Sequence, residues 1–187
     1  MAEILSFHDE AAEIVAEQVE AIARVDDDVV GRLLQSIAGA NCIFLLGEGR
    51  SGLVGRMFAM RLMHLGHQAF VVGETITPSI AAGDLLIAIS GSGETGGVVL
   101  LAESGRNAGA TMAAITANPE SRLAALADLT VLLPTQHKLQ GASSRQYGGS
   151  LFEQTTLLLF ETMVSMLAAG DAATGFASLA KRHANLE

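Results

Sequence analysis

The sequence has few of the residues that mark secreted, disulfide-stabilised or membrane-spanning proteins. Cys42 is the only cysteine, so we expect no intramolecular disulfide and a small buried hydrophobe in a reducing compartment. The first residues, MAEILSFHDEAAEI, are acidic and lack the basic n-region of a signal peptide. No uncharged apolar run approaches the roughly 18 residues of a membrane span. We therefore expect a cytoplasmic protein that does not insert into a membrane.

Basic residues and aromatic residues are also scarce. The chain has 11 Lys and Arg against 20 Asp and Glu, which gives a net charge of −9. Because nucleic-acid binding needs clustered positive charge, we expect no nucleic-acid partner. An anionic small molecule would be repelled by the overall field and would have to be held by local groups. Aromatic residues make up 4% of the chain and hydrophobic residues 50%, so the core is expected to be aliphatic.

Short apolar runs alternate with helical patterns along the middle of the chain. Such alternation is typical of a parallel sheet covered by helices on both faces. The runs predict strands at 42–46, 69–72, 84–89, 111–116 and 129–133, with helices at about 51–66, 95–107 and 120–127. Helical spacing also covers 3–37, with an interruption near 26–28, and two further helices are expected at 151–169 and 171–183. We predict a single α/β domain over residues 1–187, with a five-stranded parallel doubly wound sheet in the flavodoxin-like order 2-1-3-4-5 and additional N- and C-terminal helices.

Two glycine-rich loops follow the first and third predicted strands. They read GEGRSG at 47–52 and SGSGET at 90–95, and each opens a predicted helix. In the order 2-1-3-4-5 the ligand crevice lies between these two strands, beyond their carboxyl ends. Backbone N–H groups and hydroxyls at helix starts suit an anion. The two loops therefore predict one anion-binding site.

The residues alone leave other interpretations open. GEGRSG fits the dinucleotide pattern G-x-G-x-x-G, with Glu74 as the acidic residue after the second strand. A dinucleotide site, however, has little need of a second phosphate-binding loop after the third strand. Ser51 and Ser92 are also suitable helix N-caps, and Ser150 with Glu153 forms an S-x-x-E capping box.

Several segments resemble the sugar isomerase (SIS) domain family and, within it, the hexulose-phosphate isomerases. The two glycine-rich loops and the long N-terminal helix are similar to SIS domains in general. The more specific segments are MRLMHLG (60–66), VVGETITPSI (71–80), GGSLFEQ (148–154) and RHANLE (182–187). The resemblance covers essentially the whole chain.

The resemblance implies interconversion of D-arabino-hex-3-ulose 6-phosphate and D-fructose 6-phosphate, a step of the ribulose monophosphate route for formaldehyde. It also implies a homotetramer and no metal or organic cofactor. When the family's motif is matched to this sequence, the resemblance implies that the two loops bind the sugar phosphate, through Gly49, Arg50, Ser51, Ser90, Gly91, Ser92, Gly93, Glu94 and Thr95. Other sugar-phosphate isomerases, and SIS modules that bind a sugar phosphate without reacting, are the alternatives. A sensor of that second kind has no need of a glutamate at 153.

Two residues are candidates for the chemistry. The resemblance points to Glu153 as the base that moves a proton between C2 and C3 through an enediol. A carboxylate that caps its own helix is not free to do this, so the capping box is the competing interpretation. His64 lies 13 residues beyond Ser51 on one helix, about 20 Å away at 1.5 Å per residue. It would act in a neighbouring subunit's site or have a structural role only.

The remaining candidates carry less weight. The 16 residues after Pro134 have no clear periodicity, and such a loop is usually functional or mobile. His137 and Lys138 in it could close over bound sugar. Glu48 could contact sugar hydroxyls, although its charge is awkward next to a phosphate. Met57, Met60 and Met63 suggest core or interface packing.

Overall fold

A computed structural model describes residues 6–135, 144–170, 181–183 and 185. The chain begins with two helices, α1 (Phe7–Ile22) and α2 (Asp27–Gly39). Asp26 separates them, because its carboxylate accepts hydrogen bonds from the backbone N–H groups of Asp28 and Val29 and caps α2. The interruption predicted near 26–28 is confirmed.

The middle of the chain forms five parallel strands and three helices. The strands are β1 (Ile43–Gly47), β2 (Ala69–Val71), β3 (Leu85–Ile89), β4 (Thr111–Thr116) and β5 (Leu129–Leu132), and the helices are α3 (Gly49–His64), α4 (Gly96–Asn107) and α5 (Arg122–Leu126). The strand order is β2-β1-β3-β4-β5, with every pairing parallel. The predicted sheet and its order are therefore confirmed.

Helices cover both faces of the sheet. Successive residues of a strand point to opposite faces, so Leu45 and Ile87 pack with α2, α3 and α6 (Ser150–Gly170), whereas Leu46 and Ala88 pack with α4 and α5. All five residues of β3 are buried. This explains why the strands read as continuous apolar runs without alternation.

The long helix α6 lies against α3 on one face of the sheet. The rings of Phe58 and Phe160 stack between the two helices, with centroids 4.1 Å apart. A short 3₁₀ turn, Tyr147–Gly149, immediately precedes α6. Because α6 starts beside the carboxyl edge of the sheet, its first turn faces the crevice between β1 and β3.

The remaining sequence predictions concern Cys42, membrane insertion and the segments after Pro134 and Gly170. Cys42 lies one residue before β1 and is half-buried rather than fully buried. Burial and the nearby Asp84 raise the pKa of its thiol. Across the described ranges, none of the helices combines the length and hydrophobicity of a membrane span. His137, Lys138 and most of the predicted final helix lie outside the described residues.

Candidate active site

The two glycine-rich loops leave the sheet at the same level. In the register of β1 with β3, Gly47 stands opposite Ile89, so both strands end together. A cavity of about 380 Å³ opens between the loops and the start of α6. Its lining comprises Glu48, Gly49, Arg50, Ser51, Ile89, Ser90, Gly91, Ser92, Thr95, Gly149, Phe152 and Glu153.

The first loop is a tight turn in which two backbone segments nearly touch. A β-carbon on Gly52 would lie 2.5 Å from the carbonyl oxygen of Gly47, so any side chain there is excluded. Gly49 begins α3 with a φ of 57°, and Ser51 lies in the first helical turn. The N-cap of α3 is Glu48, whose side chain makes no capping bond. The interpretation of Ser51 as an N-cap was therefore wrong.

The second loop carries three hydroxyls, two of which bond to each other. The Ser90 and Thr95 hydroxyl oxygens lie 3.0 Å apart, and the Ser90 hydroxyl accepts a bond of 3.2 Å from the Gly93 N–H. Thr95, not Ser92, is the N-cap of α4, and its side chain makes no capping bond. The first N–H groups of α4 therefore have no side-chain cap and can meet an anion.

The far side of this loop is fixed to the next βα unit. The Ala117 N–H donates to the Gly91 carbonyl at 3.0 Å, and the Leu123 N–H donates to the Gly93 carbonyl at 3.1 Å. The Glu94 carboxylate accepts a bond of 2.8 Å from the Arg122 N–H at the start of α5. Gly93 and Glu94 thus support the loop but do not line the cavity, unlike the other predicted phosphate-binding residues.

Glu153 projects from the first turn of α6 into the cavity wall and is only 5% exposed. Its carboxylate accepts a hydrogen bond from Nε of Arg50, which belongs to the first loop. The Ser150 hydroxyl donates to the Tyr147 carbonyl at 2.7 Å. Within the described residues the S-x-x-E capping box is not formed, so that interpretation was wrong.

Phe152 and Gly149 were missed by the sequence interpretation. A β-carbon on Gly91 would lie 3.1 Å from the Phe152 ring, so the ring packs directly on the second loop. Gly149 has a φ of 95° and turns the chain into α6. The signal for both was the segment GGSLFEQ, from which only the glutamate was selected.

The segment that leads into α6 is held by α1. Glu17 accepts hydrogen bonds from the Ser144 hydroxyl at 2.9 Å, the Arg145 N–H at 2.8 Å and the Gln146 side-chain amide at 2.9 Å. Burial acts to raise the pKa of Glu17, but these bonds and the Arg145 charge outweigh it, so the pKa lies below its ordinary value. Sequence spacing gave no sign of this contact, which joins positions more than 120 residues apart.

His64 lies at the opposite end of α3 from the cavity. It is 3% exposed, and its ring stacks on that of His183 with centroids 5.5 Å apart. Burial, together with the neighbouring His183 and Arg61, lowers the pKa of His64. Its Nδ1 has no hydrogen-bond partner among the described residues. The structure does not bring His64 to the cavity of its own chain.

Glu74, the candidate acidic residue after the second strand, lies at the surface. Glu74 forms an ion pair with Arg56, and both side chains are largely exposed. In the described part of the chain, no three His, Cys, Asp or Glu side chains gather as a metal cluster.

Comparisons with known proteins agree with this architecture. Residues 36–174 match the model of the SIS domain. The chain is 47% identical to the 3-hexulose-6-phosphate isomerase of Mycobacterium gastri, over 91% of this chain and 86% of that protein. It is 41% identical to the enzyme of the same name from Bacillus subtilis, over 94% and 96%.

A solved structure is similar as well. A Methanococcus jannaschii protein, for which a function of 3-hexulose-6-phosphate isomerase has been inferred, superposes with a TM-score of 0.83 at 33% identity, over 96% of this chain and 99% of that one. The domain match covers most of the chain, and the sheet order and loop positions of the structure fit it. The chain therefore belongs to the SIS domain family.

Proposed function

We propose that this protein is an isomerase that interconverts D-arabino-hex-3-ulose 6-phosphate and D-fructose 6-phosphate. The observation that carries the proposal is that the buried Glu153 carboxylate shares one cavity with the hydroxyl-rich loop at the start of α4. Two relatives named for this reaction are 47% and 41% identical over 91% and 94% of the chain. The reaction would serve the ribulose monophosphate route for formaldehyde.

The phosphate is proposed to lie at the start of α4. Ser90, Ser92 and Thr95 supply hydroxyls, and the uncapped first turn of the helix supplies N–H groups and a partial positive charge. Ser51 completes this set from the first loop. Since the protein as a whole carries a charge of −9, this local donor set is what would hold the anion.

The proton transfer is assigned to Glu153. Taking the proton from C2 of the 3-ketose gives a 2,3-enediolate with its charge on O3, and returning the proton to C3 while the O2 hydroxyl proton passes to O3 gives the 2-ketose. One carboxylate placed between C2 and C3 can perform both transfers, and such help is worth about 10²–10⁴ in rate. Arg50, which bonds to Glu153, can stabilise negative charge on the enediolate oxygens of the substrate.

The assembly and the location of the protein belong to the same proposal. We expect one SIS domain over residues 1–187, a homotetramer and a cytoplasmic protein. Since His64 lies far from its own cavity, a catalytic role would place it in the site of a neighbouring subunit, where it would assist ring opening. The exposed apolar face of α3 beside it supports an interface there.

Proton NMR of fructose 6-phosphate in D₂O tests the reaction. Deuterium at C3, with formation of a 3-hexulose phosphate, is expected, and Glu153→Gln should abolish both. Glu161→Gln is the matched control, because Glu161 lies on the same helix with a partly exposed ion pair to Arg61 at 3.7 Å. Deuterium at C1 would indicate an aldose-forming isomerase instead. Binding without exchange would indicate a sugar-phosphate sensor.

A further inference from the structure

The carboxylate of Glu48 lies directly on the first turn of α4. A β-carbon built on Gly97 would be only 2.0 Å from Oε1 of Glu48. Glu48 itself belongs to the other loop, between β1 and α3. The absence of a side chain at Gly97 thus leaves room for an anionic group from the first loop at the beginning of the α4 helix.

This end of α4 has no acidic group of its own. Its first turn contains no Asp or Glu, and the N-cap Thr95 makes no side-chain capping bond. A helix N-terminus carries about half a positive charge and is stabilised by an anion. Glu48 places a carboxylate beside this turn, in the lining of the cavity where the proposed function puts the substrate phosphate.

Glu48 is held there by little else. Among the described residues its carboxylate has no hydrogen bond and no ion pair, and the residue is exposed. Arg50, two residues further along the loop, bonds to Glu153 and not to Glu48. Rotation of the Glu48 side chain into solvent would therefore break no specific contact except its attraction to the helix.

We propose that the Glu48 carboxylate competes with phosphate for the anion site at the start of α4. This inference rests on the proposed phosphate-binding role of the loop. An anion binds only while the Glu48 carboxylate is away from this site, so its apparent affinity equals its intrinsic affinity multiplied by the fraction of time that the site is free. Inorganic phosphate makes contacts at this site alone. A sugar phosphate also contacts the Arg50 and Glu153 end of the cavity, so Glu48 selects for the whole substrate over free phosphate.

Titration calorimetry with inorganic phosphate at pH 8 tests the proposal on the full chain. Glu48→Gln keeps the shape of the side chain and removes its charge, and it should bind phosphate roughly three- to tenfold more tightly. Glu103→Gln is the matched control: it removes the same charge from α4, where Glu103 pairs with Arg122 at 3.5 Å. Its phosphate affinity should stay within about twofold of the wild type. Thermal melting confirms that both variants are folded.

Two results would overturn the proposal. An affinity of Glu48→Gln equal to that of Glu103→Gln would show that Glu48 does not compete. A weaker affinity, or a raised KM for fructose 6-phosphate, would show that Glu48 helps to hold the ligand. The isomerase assignment is judged separately, from turnover of fructose 6-phosphate by the wild type. If the wild type does not turn it over and Glu48→Gln still binds phosphate more tightly, the role of Glu48 is supported and the proposed substrate is wrong.

Discussion

Gly93 shows how one residue fixes the shape of the second loop without touching the cavity. Its φ is 66°, and a β-carbon there would lie 2.1 Å from the Ser121 hydroxyl oxygen. That hydroxyl caps α5 by accepting a bond from the Ala124 N–H. Gly93 therefore holds the turn that directs Ser90 and Ser92 at the cavity, and a larger residue would disturb two elements at once.

Gly93→Ala is expected to destabilise the protein. The left-handed conformation alone costs about 1–2 kcal/mol for a residue with a β-carbon, and the displaced Ser121 adds to this. Gly31→Ala is the control, since Gly31 lies within α2 with nothing near its β-position, and alanine there should stabilise by about 0.5–1 kcal/mol. Urea unfolding measures both. Equal stability of the two variants would contradict the argument.

His64 makes stability depend on pH near neutrality. Its pKa in the folded protein lies below the ordinary value of 6.5, because it is buried and faces His183 and Arg61. The unfolded chain therefore takes up a proton at pH values where the folded protein does not. This contribution to stability is fully present above pH 6.5 and is lost as the pH falls.

Urea unfolding at pH 7.5 and 5.5, at one protein concentration, checks this. The free energy of unfolding should fall between the two pH values, and His64→Gln should reduce that fall. Part of the fall should remain, because burial also lowers the pKa of His67. His8→Gln, at an exposed position of α1, should leave the difference unchanged. The same fall in wild type and His64→Gln would refute the assignment.

At the scale of elements, α1 acts as the support for the start of α6. Glu17 binds three consecutive residues before the turn that carries Gly149, and Arg145 donates a further bond to Glu10 at 2.7 Å. Gln18, the next residue of α1, donates a hydrogen bond to Gln154, which is adjacent to Glu153. The position of Glu153 in the cavity thus depends on a helix that contributes no residue to the cavity lining.

Glu17→Gln should lower kcat by about tenfold, because small displacements of a catalytic group are costly. The affinity for inorganic phosphate should not change, since β4 and α5 anchor the second loop. Glu20→Gln is the control for kinetics and binding, because the Glu20 carboxylate forms an exposed pair with Arg24 at 4.0 Å. The wild-type contact should persist above pH 4.5 and weaken as the pH falls below it, because the pKa of Glu17 is lowered. An unchanged kcat would show that α1 does not position Glu153, the proposed base.

At the scale of the whole molecule, α3 presents an apolar face that the described part of the chain leaves largely exposed. Leu53, Met57, Met60 and Met63 are 60%, 44%, 46% and 41% exposed. They follow one another at helical spacing, and a contiguous apolar surface of this kind usually marks an interface. The face runs from the cavity end of α3 to His64, so an interface here would bring the cavity of one subunit near the α3 of another.

Met60→Glu is expected to weaken the proposed homotetramer, because a buried unpaired charge is costly at an interface. Light scattering after size-exclusion chromatography should show a smaller species for this variant. Leu100→Glu adds the same charge on α4, on the opposite face of the sheet, at a residue that is 63% exposed. Its mass should equal that of the wild type. A wild-type mass for Met60→Glu would place the interface elsewhere.

The sequence by itself determined the α/β class, the order of the strands and the position of the two loops. The class and the loop positions follow from local signals, namely apolar runs bounded by glycine, and the order is the one common to flavodoxin-like sheets. Glu153 was indicated as the base by the resemblance to the family, and Arg50 was a weaker candidate. The sequence alone left open whether Glu153 caps its helix, because the same spacing suits both roles.

The tertiary structure decided which groups meet. The contact of Arg50 with Glu153 joins residues 103 positions apart. The hydrogen bond from the Arg145 N–H to Glu17, which holds the segment before α6, joins residues 128 positions apart. Glu94 points away from the cavity because the Arg122 N–H at the start of α5 lies within its reach. Such choices depend on distances across the fold, and a linear pattern carries no information about which of several suitable partners will be closest.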